Sequence, residues 1–176
     1  MSKIDPQEPV LRLLFSPYHF RSNGKLHPKA FADKNNDLSL TRLFLTTKET
    51  CIEQARDIAK NDKSGIKKYA GICLLCPEQI LTLKEGTLGF SIQATPSNNN
   101  PAHASLIIVD SEQNPIQIKE GKPNDNDAVS ELLNAIVNGI NNLSLGKMYA
   151  EKEFQETPLE ELNGFCAAKT TPPTAS

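Results

Sequence analysis

The chain has 176 residues, enough for one domain with a real core and too few for two full ones. Its formal charge of −2 gives no basic field, and with no Trp it has little on which to stack bases, so nucleic acid is disfavoured as a partner. No apolar run approaches the ~20 residues that span a bilayer, and the polar N-terminus MSKIDPQEPV has no apolar signal core, so a soluble cytoplasmic protein with no membrane partner is expected.

Residues 1–8 are polar and read as frayed. Pro9–Phe15 reads as a strand, apolar except for Arg12. SPYHF and the Ser22–Lys25 turn follow, where Asn-Gly supplies positive φ. Pro28 keeps His27 out of regular helix, and Asp33–Asp37 is a polar loop. Leu38–Leu45 alternates at first, with Leu38, Leu40 and Arg42 on one side and Ser39, Thr41 and Leu43 on the other, which suggests a strand. Thr46–Glu49 has the form of a capping box, and the helix it opens runs to about Lys60.

Tyr69–Leu75 is the best buried strand, and Cys76-Pro77 starts a helical turn with Pro in its favoured first position. Thr87–Ala94 alternates as a half-buried strand, Pro96–Pro101 is a loop, and His103–Asp110 is a further strand. Ile116–Ile118 adds a short strand after the Asn114-Pro115 turn. Asp125 or Asn126 then caps a helix to about Ile140, whose Val129, Leu132, Leu133, Ile136, Val137 and Ile140 form one apolar stripe. The order predicts an α+β fold: a single domain over 8–145, with a mostly antiparallel sheet of about five strands and two main helices on one face. Residues 146–176 read as a polar extension, with one turn at Leu159–Leu162 docking back and the last ~10 residues disordered.

Four cysteines, Cys51, Cys73, Cys76 and Cys166, are expected as free thiols rather than a disulfide framework. Cys73-Leu-Leu-Cys76 has no second pair to complete a zinc site, and Cys73 falls inside a buried strand, so no metal is expected there. No motif asks for a cofactor. Neither a Ser-His-Asp nor a Cys-His order is legible, and there is no Gly-rich phosphate loop.

What remains is polar chemistry in the organising stretch 16–47 and the loop 96–103. Tyr18, His19 and Arg21 cluster after the first strand. Arg12 and Arg42 sit in runs that otherwise look buried and therefore need anionic partners, either a ligand or Asp33, Asp37 or Asp110. His103 suits a general base, a ligand contact or a fastener of the preceding loop. Arg12, His19, Arg21, Arg42 and His103 are therefore the candidate ligand-binding residues, with Arg42 as anchor. The run Leu11–Thr47 resembles a pattern in a family of small bacterial proteins of no settled activity. Its parts are an HP-x-H/F-like segment at Ser16–Phe20, G-x-L-x-x-x-A-F at Gly24–Phe31, L-S-V-x-R at Leu38–Arg42 (with Leu40 for Val), a helix opened by Thr at Thr46–Glu49, and N-P-A-H at Asn100–His103. The resemblance spans about two thirds of the chain; it implies a bacterial origin and one domain and assigns no catalytic residue.

Two functions fit. One is a binding or accessory module that recognises a partner protein or a small anionic ligand through the 16–47 and 96–103 loops. The other is a nucleotide- or NAD-using enzyme of ADP-ribosyltransferase-like type, in which Arg12 and Ser39-Leu40-Thr41 stand on early strands but no late Glu motif follows.

Overall fold

A computed structural model describes residues 4–118 and 127–170, with side chains through 168. Its elements are β1 (Val10–Ser16), a 3-10 turn (Pro28–Phe31), β2 (Leu38–Arg42), α1 (Lys48–Lys60), β3 (Lys68–Leu75), α2 (Pro77–Ile80), β4 (Lys84–Glu85), β5 (Leu88–Ala94), β6 (His103–Val109), α3 (Asp127–Asn141), β7 (Gly146–Ala150), α4 (Glu151–Glu156) and α5 (Leu159–Thr170). The strands make one sheet in the order β4-β5-β6-β2-β1-β3-β7, every neighbouring pair antiparallel. The expected α+β domain with an antiparallel sheet is present, but the sheet has seven strands rather than about five. The two additions are short and weakly patterned: β4 is an exposed Lys-Glu pair, and β7 is the mixed run GKMYA.

Strand alternation divides the core in two. Val10 and Leu14 of β1, Leu38 and Leu40 of β2, and Ala104, Leu106 and Ile108 of β6 point to one face, where the α3 stripe covers them together with Ala30 and Phe31. Leu11, Leu13 and Phe15 of β1, with Ile72 and Leu74 of β3, point to the other, against Cys51, Ile52 and Ala55 of α1. The two long helices therefore lie on opposite faces, not on one. The reason is visible in β1, which is apolar on both sides and must be covered twice.

Local chemistry sets the ends of these elements. α1 is capped by Thr47, whose side chain accepts from the Thr50 amide at 3.1 Å, one residue later than the expected capping box at Thr46. The cap expected at Asp125 or Asn126 lies outside the described residues. Asn36, at φ 52°, inserts its amide where a strand would otherwise pair: Nδ2 donates to the Ile108 and Ile116 carbonyls at 2.8 and 2.9 Å, and Oδ1 accepts from Ile108 N–H at 2.7 Å. The described residues after Asn114, 115–118, are held by that side chain and a single bridge, Val109 to Pro115, and the short strand expected at Ile116–Ile118 is not formed. Gly71, at φ 151°, lies at the β1–β3 register shift, where a Cβ would run into the Tyr149 carbonyl of β7.

The chain after 145 belongs to the sheet and the core. β7 pairs with β3 along its whole length, and Phe154, Leu162 and Cys166 join the α1-side cluster. Cys166 forms a disulfide with Cys76 across 90 residues of sequence, which corrects the expectation of free thiols; Cys51 and Cys73 stay free and buried. The C-x-x-C is thus neither a redox pair nor a zinc half-site. Cys73 belongs to the α3-side core, Cys76 belongs to the α1-side core, and burial pushes the Cys73 thiol well up. The helix around Cys166 also replaces the disorder expected for residues 166–170, while residues 171–176 lie outside the described ones.

Two stability predictions follow from this packing. Leu133→Ala opens a hole under α3 and should cost about 2–5 kcal/mol in a denaturant titration. Cys166→Ser should cost about 2–5 kcal/mol, because it frees a loop of 90 residues in the unfolded chain; reduction of the wild type should reproduce the loss.

Candidate functional site

The sheet has a seam. β1 and β2 pair only at Val10–Arg42 and Leu11–Thr41, and the next rung, which would join Leu13 to Ser39, is not made. The Arg42 amide donates to the Ala102 carbonyl at 2.7 Å, so alternation turns the Leu40 backbone to β6 and the Ser39 backbone toward β1. Arg12 fills the opening. Its Nε donates to the Ala30 carbonyl at 2.9 Å and its Nη1 to the Ser39 carbonyl at 3.3 Å. Further along β1, the Phe15 N–H donates to His19 Nδ1 at 3.0 Å. Two side chains thus stand in for missing ladder bonds.

Above the seam, on the α1 side, lies a groove of about 360 Å³. Its floor is Leu11, Leu13 and Phe15, α1 walls it with Gln54, Asp57 and Ile58, and Arg12, Ser39, Thr41, Asn100 and His103 supply the polar groups. The groove exists because α1 covers only part of this face. Over β2, β6 and β5 the same side carries Ser39, Thr41, His103, Ser105, Ser91 and Gln93, and none of these joins the apolar cluster beneath α1. The other hollows are poorer candidates. One is a void of about 10 Å³ in the apolar core, at the limit for a single water. Another is a dish of about 580 Å³ between α4 and α5, lined mostly by exposed Lys and Glu. Among the described residues no group of three or more His, Cys, Asp or Glu is placed to hold a metal ion.

The five expected site residues separate. Arg12, His19 and His103 gather around the seam. Arg42 does not: both its Nε and its Nη2 bond the Glu8 carboxylate at 2.9 Å, with Glu8 only 2% exposed. That bond raises the Arg42 pKa. Arg42 stands one residue beyond Thr41, the partner of His103, so alternation turns it to the other face. The anchor role expected of Arg42 thus fails on an internal ion pair. Its partner is not Asp33, Asp37 or Asp110 but Glu8, in a segment expected to be frayed. Arg21 is exposed on the Asn-Gly turn, away from the groove.

Arg12 is the contrasting case. Among the described residues no carboxylate lies within ion-pair distance of it, and both its bonds end on neutral carbonyls. Burial lowers its pKa to about 10, and Asp33 partly offsets the shift from a distance. It remains charged at neutral pH. His19, half-buried and near the Arg12 and Lys67 charges, is lowered to about 4 and is therefore neutral, as its acceptor role toward Phe15 requires.

His103 is held on both sides. Its Nδ1 lies 2.7 Å from Thr95 Oγ1 and 3.2 Å from the Thr95 carbonyl, and its Nε2 lies 3.2 Å from Ser39 Oγ. Thr95 Oγ1 in turn meets Ser105 Oγ at 3.0 Å. Sequence reasoning singled out His103, and Ser39-Leu40-Thr41 in the enzyme reading, but passed over Thr95 and gave Asn100 no binding role. The available signal was the alternation of Leu38–Arg42, which puts Ser39 and Thr41 on the side opposite the leucines. Compared with family models, curated proteins and solved structures, the chain matches none. Among the described residues no helix is long and apolar enough to cross a membrane.

His19 gives a pH prediction. Its folded pKa of about 4 lies below the ~6.5 of an unfolded histidine, so the unfolded chain binds the extra proton first. The contribution is complete above pH ~6.5 and is lost as pH falls toward 4, amounting to about 2–4 kcal/mol. Urea titrations between pH 4 and 7 should show that loss, and it should be much reduced in His19→Gln, where the carboxylates and His27, whose pKa is also lowered by burial, still titrate.

Proposed function

We propose that the protein is a small binding module that takes an anionic ligand, a phosphate or a carboxylate, in the groove over the β1–β2 seam. The observation that carries this reading is Arg12: a largely buried guanidinium with no carboxylate partner among the described residues, lining a groove between an apolar floor and a polar rim. A cation in such a place is stabilised by whatever anion reaches it, and Arg presents a fork suited to phosphate and carboxylate. Ser39, Thr41 and Asn100 add neutral hydrogen-bonding groups beside it. The groove lies where the 16–47 stretch meets the 96–103 loop, the two segments expected to recognise the ligand, with Arg12 as anchor in place of Arg42.

The enzyme of ADP-ribosyltransferase-like type has less support. Arg12 does touch the Ser39-Leu40-Thr41 strand, but among the described residues the acid on the groove is Asp57, from α1, and no Glu lines it. The bacterial origin implied by the family resemblance rests on the quoted residues. The disulfide favours an oxidising compartment over the expected cytoplasm.

Thermal unfolding with phosphate, pyrophosphate and short dicarboxylates tests the reading. An anion at about a hundred times its Kd should stabilise the fold by about 2.7 kcal/mol. Ile58→Glu adds a negative charge at an exposed position on the groove wall. It should leave the unliganded protein as stable as the wild type and weaken anion binding about tenfold. No stabilisation by any of these anions, or equal binding by the variant, would reject the groove as the site.

A further inference from the structure

We propose that Ser39 and His103 are a nucleophile and general base that hydrolyse small carboxylic esters in this groove. The inference rests on the groove being the ligand site and adds a reaction to it. Its geometry comes from three strands. Ser39 stands on β2, exposed at the groove, with Oγ 3.2 Å from His103 Nε2, within reach for proton transfer. His103 stands on β6 in the rung next to it, paired with Thr41. In the proposed pair Nδ1 carries the proton and donates to the Thr95 carbonyl, 3.2 Å away, which leaves Nε2 bare toward Ser39. Thr95 Oγ1, 2.7 Å from Nδ1 and 3.0 Å from Ser105 Oγ, can then accept from the ring and donate to Ser105. A backbone carbonyl therefore orients the ring in the place an acid takes in the usual triad.

The open rung supplies the third component. The N–H and C=O of a strand residue point to the same neighbour. The Ser39 carbonyl points to β1 and is taken by Arg12, so the Ser39 N–H points there too, and the rung that would have used it is not made. An N–H donor and a guanidinium thus stand beside the nucleophile, where negative charge would develop.

The reaction balances with water alone. Ser39 Oγ attacks the ester carbonyl carbon as its proton passes to His103 Nε2, and the carbonyl oxygen takes the charge. The C–O bond to the alcohol breaks, and Nε2–H protonates the departing alkoxide. Water then attacks the acyl-Ser39 carbonyl while Nε2 accepts its proton. The bond to Oγ breaks, Oγ regains the proton, and the acid leaves. Leu11 and Leu13 suit the groove to a short acyl chain, and Arg12 favours one ending in a carboxylate.

A fluorophosphonate probe on the full chain, read by intact mass and peptide mapping, tests this. One adduct per chain is expected, on Ser39, absent from Ser39→Ala and formed about 10²–10⁴-fold more slowly by His103→Gln. Ser91→Ala, on the same sheet face but outside the groove lining, should label like the wild type. The 4-nitrophenyl monoester of glutarate should be cleaved faster than the neutral 4-nitrophenyl valerate. Folded protein that binds phosphate in the groove but neither labels nor cleaves these esters would overturn the catalytic pair and leave the binding reading standing. Labelling at another serine, or labelling of Ser39 that is indifferent to His103→Gln, would overturn it as well. Ser39-dependent cleavage of both esters at equal rates, with no anion stabilisation, would uphold the pair and remove the anionic ligand.

Discussion

The molecule depends on how a broken seam in its sheet is sealed. A sheet interior cannot leave backbone N–H and C=O groups unpaired and buried without a cost comparable to lost hydrogen bonds. Between β1 and β2 the ladder stops after two rungs; beyond them Arg12 meets the Ser39 carbonyl and His19 meets the Phe15 N–H. Each substitute brings a constraint of its own. Arg12 places a positive charge in the interior, and His19 must remain neutral to accept. The seam therefore binds stability and chemistry together: the residues that close it are those that give the groove its character.

The asymmetric covering of the sheet is the second determinant. One face is closed by α3 and the 3-10 turn over nearly its whole width. On the other face, helices reach only across β1, β3 and β7. The uncovered strands answer with hydroxyls and amides, which satisfy one another and remain partly wetted, as the Thr95, Ser105 and His103 contacts illustrate. A groove forms where the apolar half meets the polar half, with a hydrophobic floor and hydrogen-bonding groups within a few ångströms.

Much of this was legible in the sequence where period and length agreed. The α3 stripe, the buried β3 run and the alternation of β2 and β5 each carry their own face assignment, and the structure follows them. What stayed hidden was relational. β1 is apolar on both sides, which signals double coverage, yet its length alone does not say that a helix sits on each face. Glu8 looks like solvated tail until Arg42 is seen to need it. β7 has too few apolar residues to announce a strand; Gly146 and Gly71 let it come close to β3, and pairing does the rest. The disulfide joins positions whose spacing carries no signature. At the site, the types of residue were visible but their grouping was not, since the choice between Arg12 and Arg42 as the free cation turns on which one finds a carboxylate.

The strand order gives the disulfide a meaning beyond cross-linking. β2, β1 and β3, all from the first 75 residues, occupy the middle of the sheet, while β4-β5-β6 form one flank and β7 the other. Both flanks belong to the stretch between Cys76 and Cys166, so covalently they are one closed loop passing around the N-terminal block. An ordinary sheet sheds strands by peeling from an exposed margin. Here each margin is tied to the opposite one, and a flank that lets go remains tethered beside the place it left. Strands that leave the sheet stay within that closed loop, so the oxidised protein holds its flanks nearer their own sheet than the reduced one does.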